Sequence, residues 1–234
     1  MVAFENCIYI LNKLGVKHPD RVAFKIFSEN ATRVGHPPII EERFADGETD
    51  FKTQLERIMV TNPDAILVWG NAKESALILQ QMRAIGLKQP VYGSDRMVNP
   101  EFLEIAGNQA EGIITTCQYN PDSDNPKYKA FKANYIKRFN QEPDVFAAHA
   151  YDGMDLLISA INKVGLNRVL IRDILTERKT FQNYPGVTGN IELDGSWNEI
   201  RNIFIAKVQK GKFVFTPAPP LEMKDKVTIK TGTY

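Results

Sequence analysis

The sequence is poor in the residues that build redox and metal chemistry. It holds two cysteines, Cys7 and Cys117, and three histidines, His18, His36 and His149, too scattered to share a zinc ion. Cys7 falls in an amphipathic helix pattern and Cys117 in a strand pattern, which reads as two buried free thiols rather than a disulfide. Charge of one sign is equally scarce. The 29 basic and 28 acidic side chains leave a formal net charge of +1. That balance argues against nucleic acid or an acidic membrane as main partner, since neither would be steered in. No apolar run approaches the roughly 18 residues of a membrane span. There is no G-x-G-x-x-G or P-loop pattern and no G-x-S-x-G elbow, so nucleotide chemistry, elbow-type acyl transfer and a bound cofactor have no support. His149, Tyr151 and Asp152 share one helix pattern and cannot form a triad alone, so His149 reads as structural. The opening segment, MVAFENCIYILNKLGVK, lacks a basic n-region and is interrupted by Glu5 and Asn6, so it does not read as a signal peptide.

What is present is an ordinary globular composition, 43% hydrophobic and 24% charged over 234 residues, enough for one large domain or two small lobes. The stretch from Asn62 to Asp95 organises it. Ala65–Trp69 is an apolar run after a Pro-Asp turn, long enough for one buried strand. Asn71 with Glu74 three residues on is a capping pattern, and Ile78, Met82 and Ile85 form a helical stripe that stops at Gly86. Gln89–Gly93 is a second strand. The unit is βαβ, so its strands should be parallel, and ligands of open parallel sheets sit at strand carboxyl ends. Those ends are Trp69-Gly70-Asn71 and Gly93-Ser94-Asp95.

Before that unit, Phe4, Ile8, Leu11 and Leu14 stand at helical spacing, closed by Gly15. Residues 16–36 read as a strand through Val22, Phe24 and Ile26, or as a helix with Asp20 as cap and Gly35 as stop; the SENATR tail favours the helix. A strand over Ile39–Phe44 follows, then a helix capped by Asp50 with Phe51, Leu55, Ile58 and Met59 inward. After the unit come a short helix at Asn99-Pro100, a strand over Gly112–Gln118, and a turn-rich linker to Asn125. Two helices then place Tyr128, Phe131, Tyr135 and Phe139, and Phe146, Ala150, Met154, Leu157, Ile161 and Val164, inward. A shorter helix capped by Asn167 runs to Glu177. Strands are expected over Val187–Leu193, Asn202–Val208 and Phe213–Thr216, the last two joined at Lys210-Gly211. Such alternation defines an α/β protein with doubly wound sheets.

Each candidate site residue has a plain structural reading beside the functional one. Trp69 can pack the sheet edge and Asn71 can cap a helix. Asp95 can cap its turn, or stand partly desolvated as the partner of an ammonium group. Phe146 can be core or one apolar wall of a cleft.

The segments ADGETDFKTQLERI, NPDAILVWGN, ILQQMRAIGLKQPVYGSD, FLEIAGNQAEGIITT and FAAHAYDGMDLLISAI, spread between Glu41 and Phe215, resemble the fold type I periplasmic binding proteins. The nearest group is the branched-chain amino-acid (leucine/isoleucine/valine) binders of ABC importers. The resemblance implies two doubly wound lobes joined by hinge crossings and closing on a small solute, with no catalysis. It implies that residues 1–118 form the second lobe, 119–179 return to an incomplete first lobe, and 180–234 cross back. It places Asp95 against an amino acid's α-amino group, Asn71 or Ala72 on the ligand from the second lobe and Phe146 from the first; Tyr151-Asp152 match a helix motif of the family. Trp69 and Tyr151 complete the candidate set. The strand due between Gly15 and Ser28 looks shortened or lost, and the half-lobe that holds a ligand carboxylate in the family has no counterpart. The partners implied are a small solute and a membrane permease, outside the cytoplasm, with an exposed sheet edge favouring self-association. A ligand-sensing regulatory or receptor module is the alternative on the same fold.

Overall fold

The computed structural model describes residues 7–12, 19–177, 181–193 and 203–218; for residues 7–12 and 19–24 this covers the backbone only. The order opens β1 (Cys7–Asn12), α1 (Pro19–Arg33), β2 (Pro38–Phe44), α2 (Lys52–Thr61), β3 (Ala65–Trp69), α3 (Ala72–Ala84) and β4 (Val91–Gly93). A 3-10 turn, Asp95–Met97, leads to α4 (Pro100–Ala106) and β5 (Ile114–Cys117). Three helices follow, α5 (Pro126–Phe139), α6 (Val145–Val164) and α7 (Arg168–Thr176). The short pair β6 (Tyr184–Pro185) and β7 (Asn190–Ile191) precedes β8 (Phe204–Gln209) and β9 (Lys212–Pro217).

One sheet of seven strands carries the molecule, in the order β2-β1-β3-β4-β5-β8-β9. The first five are parallel, and β8 and β9 run against them. The β3 sequence AILVW is apolar without alternation because both of its faces are covered. The main core sets Ile66 and Val68 of β3 against Phe51, Leu55 and Ile58 from α2's start and body, Ile78, Leu79 and Met82 of α3, and Phe102 of α4. A second cluster joins Cys117, Tyr119 and Ala206 to Tyr128, Phe131, Val145 and Ala148, so α5 and the start of α6 lean on the β5–β8 end of the sheet.

Several expectations are corrected. Residues 7–12, read as part of a helix, form β1, paired with β2 on one side and β3 on the other. Phe4, Ile8, Leu11 and Leu14 do keep helical spacing, but Cys7–Leu11 is also an unbroken apolar run, as a strand covered on both faces is. β1 is also the strand that seemed shortened or lost after Gly15; it lies earlier in the chain. The ambiguous stretch is the helix α1. Val187–Leu193 is not one strand: Asp152 takes the amides of Val187 and Thr188, and within the range Asn190–Ile191 forms β7, paired with β6 just before it. Met59 and Phe139 point to solvent, 42% and 51% exposed.

The largest correction concerns α6. Phe146, Ala150 and Met154 were expected inside, yet all three are exposed, and Leu157, Ile161 and Val164 are only half-buried. The buried positions are Val145, Ala148, Asp152, Leu156 and Ala160, on the opposite side of the helix. Two acidic side chains of the helix explain that choice. The Asp152 carboxylate is recruited by the amides of Val187 and Thr188 and by the Thr188 hydroxyl, at 2.6–2.9 Å. Asp155 binds Lys127 Nζ at 2.7 Å and the Tyr184 hydroxyl at 2.9 Å. These contacts turn the acidic side of α6 toward residues 181–193.

Candidate functional site

Strand order reverses between β1 and β3, so the crevice of this doubly wound sheet opens at their carboxyl ends. β3 ends at Trp69, and its neighbour β1 ends beside it, with Leu11 in register with Trp69. β4 ends one position short of that, where Val68 pairs with Gly93. The backbone of Asn12 therefore stands at the same edge as Gly70 and Ser94. Reading residues 4–14 as a helix concealed this position.

The strand ends are tied together. Ser94, buried, is held by four bonds: its amide donates to Val68 O at 3.3 Å, its hydroxyl donates to Gly70 O at 3.3 Å, and Thr115 Oγ1 and the Met97 amide donate to Ser94 O at 2.6 and 3.1 Å. Gly93 has no room for a side chain, because a Cβ there would overlap Met97 Sδ. Asp95 follows immediately, half-buried, opening the 3-10 turn in which the Val98 amide donates to Asp95 O at 2.9 Å. Its carboxylate is thus set on a backbone fixed at Ser94 and Val98. Asp95 also adds its charge to burial in pushing the Cys117 thiol up to about 11. Cys117 is a free, buried thiol whose Sγ donates to Tyr119 O at 3.0 Å; the Cys7 side chain lies outside the described residues.

Asn71 stands at the N-cap position of α3 in extended geometry, but its side chain makes no capping bond. It reaches across to the turn after β4 instead, where Arg96 Nη1 donates to Asn71 Oδ1 at 3.3 Å. Glu74, expected to complete a capping box, is buried and accepts from the Gly47 amide at 3.1 Å, which anchors the loop after β2. Ala72 is buried as the first residue of α3, and Trp69 is half-buried at the end of β3. Trp69, Asn71, Ala72 and Asp95 therefore come together on two adjacent strand ends. Arg96 was missed; its place next to Asp95, in the turn after β4, was the available signal.

Phe146 and Tyr151 sit apart on α6. Val145 shares a cluster with Val98, three residues after Asp95, which brings the first turn of α6 against the segment leaving the site. Phe146 is 58% exposed there. Tyr151 lies further along, its ring 4.8 Å from that of Phe131. His149 Nδ1 is 2.8 Å from Val145 O, a contact within its own helix. Among the described residues no three His, Cys, Asp or Glu side chains gather as a metal site, and no helix is long and apolar enough to cross a membrane.

A parallel sheet of order 2-1-3-4-5 with an acid, an amide and an aromatic ring at its central strand ends, and helices carried beyond its last parallel strand, is a doubly wound α/β architecture whose crevice lies at those ends. The chain belongs to the periplasmic binding protein family, whose pattern matches residues 22–212. A Leu/Ile/Val-binding protein homolog of Brucella abortus is 29% identical over 151 residues, covering 63% of this chain and 39% of that protein. The crystal structure of a leucine binding protein, LivK, of Thermotoga maritima superposes with a TM-score of 0.80 at 29% identity, over 93% of this chain and 61% of that one. The branched-chain amino-acid binding protein LivJ of Streptococcus pneumoniae, solved with isoleucine, gives 0.74 at 25% identity, over 92% and 61%. The chain thus spans about two fifths of its curated relative and three fifths of the solved ones. The family is one of solute binding, not of catalysis.

Proposed function

We propose that this chain is the solute-binding component of an ABC importer, acting outside the cytoplasm and handing an amino acid of the branched-chain type to a membrane permease. The observation that carries the reading is Asp95. It is a half-buried carboxylate on a rigid turn, at the end of a central strand, in a chain 29% identical to a leucine binding protein. A carboxylate so placed pairs with an α-ammonium group by charge-assisted hydrogen bonds. Asn71 and Ala72 meet the ligand from the neighbouring strand end, and Trp69 and Phe146 flank its aliphatic part. Tyr151 serves the same wall through its contact with Phe131. In this reading residues 1–118 form the second lobe, 119–179 belong to the first, and the remainder crosses back, with closure of the lobes trapping the ligand.

Titration calorimetry with leucine, isoleucine and valine tests it. Binding is expected, and Asp95→Ala should weaken it by 2 kcal/mol or more, about thirtyfold, as a desolvated charge loses its partner. Asp95→Asn should lose most of the same increment. Unchanged affinity in Asp95→Ala would remove Asp95 from the site, and no binding of any of the three would overturn the solute assignment.

A further inference from the structure

Resting on the solute reading above, we propose that Arg96 and the first turn of α3 form a carboxylate subsite beside Asp95, so that adjoining strand ends hold both charged ends of an amino acid. Arg96 is half-buried in the turn that Asp95 opens. Its Nη1 donates to Asn71 Oδ1 at 3.3 Å, which brings the guanidinium over the end of β3 and the start of α3. The Asp95 charge is felt on the opposite side of β4. Burial raises the thiol of Cys117, the last residue of β5, and the Asp95 charge adds to it. Two successive residues thus set a cation on the β3 side of the β4 end and an anion on the β5 side. An α-amino acid carries the complementary pair, a carboxylate and an ammonium on one carbon. It would lie across the end of β4, its carboxylate toward α3 and its ammonium toward β5.

The start of α3 suits a carboxylate as well as Arg96 does. The Asn71 side chain makes no capping bond, so the first amides of this 13-residue helix have no side-chain cap, and the positive end of its dipole faces the same strand ends. At the base of the turn, the Ser75 hydroxyl is fully buried and without a hydrogen-bond partner. It lies 3.1 Å from the place a Gly70 Cβ would occupy, a further polar group aimed at the turn from β3 into α3. Glu74, the acid of the first helical turn, is committed elsewhere, to the Gly47 amide in the loop after β2. Lys73 beside it is exposed and adds positive charge to the same turn. Arginine is the side chain whose planar fork matches a carboxylate with two parallel N–H donors.

Titration calorimetry with three probes is the test, at about pH 6.5, where an α-amine is protonated. The probes are leucine, leucine amide, which lacks the carboxylate, and isocaproate, which lacks the ammonium. The full chain should bind leucine at least about tenfold more tightly than leucine amide, and Arg96→Gln should narrow that preference to about twofold while weakening isocaproate about tenfold. Arg96→Lys, which keeps the charge and loses the fork, should fall between the two. Asp95→Ala should do the converse, weakening leucine amide more than isocaproate. Circular dichroism checks that each variant is folded. Leucine bound as tightly by Arg96→Gln as by the parent chain overturns the subsite and leaves the solute reading standing. So does a variant that weakens leucine and leucine amide alike, which is the mark of a structural arginine. Isocaproate binding that depends on Arg96, in a chain that takes no leucine, keeps the subsite and overturns the solute reading. Binding of none of the three overturns both.

Discussion

Asp152→Ala should destabilise the protein by about 3–5 kcal/mol, through the loss of a buried carboxylate that organises a backbone turn. Asp152 is 3% exposed. Its Oδ1 accepts from the Val187 amide at 2.6 Å, and its Oδ2 accepts from the Thr188 amide and hydroxyl at 2.9 and 2.7 Å. Gly186 packs so close that a Cβ there would lie 2.6 Å from Oδ2. Alanine removes three charge-assisted bonds and strands the amide of Val187, itself 1% exposed. Bonds to a charged group contribute roughly 1.5–3 kcal/mol each, and a buried amide without a partner costs roughly 1–3 kcal/mol. The three bonds share one carboxylate and are not additive, which sets the total below their sum. Asp152→Asn keeps one carbonyl acceptor and should lose about half as much. The assay is urea unfolding by circular dichroism, with hydrogen exchange read at Val187 and Thr188. The melting midpoint of Asp152→Ala should fall by about 10 °C. A variant that loses less than about 1 kcal/mol, with protection of both amides unchanged, would show that the turn holds itself and that α6 was not oriented by this carboxylate.

Three further outcomes follow from the same geometry. Gly93→Ala should cost about 1–3 kcal/mol, because the new methyl overlaps Met97, and Met97→Ala in that background should restore part of it, both read by thermal melting. Cys117 should resist iodoacetamide in the native protein at pH 8 and react on unfolding, by peptide mapping, since burial lifts its thiol to about 11. The Lys127–Asp155 contact should hold across neutral pH and fail in acid. The Lys127 hydrogen bond depresses the Asp155 carboxyl, so its contribution is complete above the ordinary carboxyl value and is lost as pH falls through the depressed one. Burial is the largest single effect on the Lys127 ammonium and works against it, but the Asp155 hydrogen bond and the charges of Asp155, Tyr184 and Asp152 together outweigh it, so its share is complete below the ordinary lysine value and is lost as pH rises through the raised one. Exchange at residues 184–191 should accelerate below about pH 4, and Lys127→Ala should reduce that acid limb without removing it, because Asp152 also holds the amides of Val187 and Thr188.

The parallel centre was legible because its signals were local and agreed. The run Ala65–Trp69, the stop at Gly86 and the second strand before Ser94 needed no distant partner, and they placed Asp95 and Asn71 at strand ends. Proline at Pro100 and Pro126, after Asn99 and Asn125, marked two helix starts whose asparagines do cap them. Periodicity failed where tertiary context decides. β1 is a central strand of the parallel part of the sheet, and strands of that kind read as continuous apolar runs without the alternation that distinguishes a strand from a helix. Glu74 satisfied a capping pattern, yet its oxygen is claimed by Gly47, far along the chain. α6 is apolar on two sides, and its spacing did not show that the buried one carries Val145, Ala148, Leu156 and Ala160 around Asp152, whose partners are the amides of Val187 and Thr188.

The chain leaves the sheet at β5 and returns at β8, and these strands are neighbours, with Cys117 opposite Phe204. The eighty-odd residues between them, including α5 to α7, are thus an excursion moored by two lines about 4.8 Å apart. Both ends of the excursion are therefore fixed at one edge of the parallel core. The cluster of Tyr128, Phe131, Val145 and Ala148 against Cys117 and Ala206 adds a third attachment beside them, so a change that loosens it would leave α5 and the start of α6 held to the sheet by the two connections.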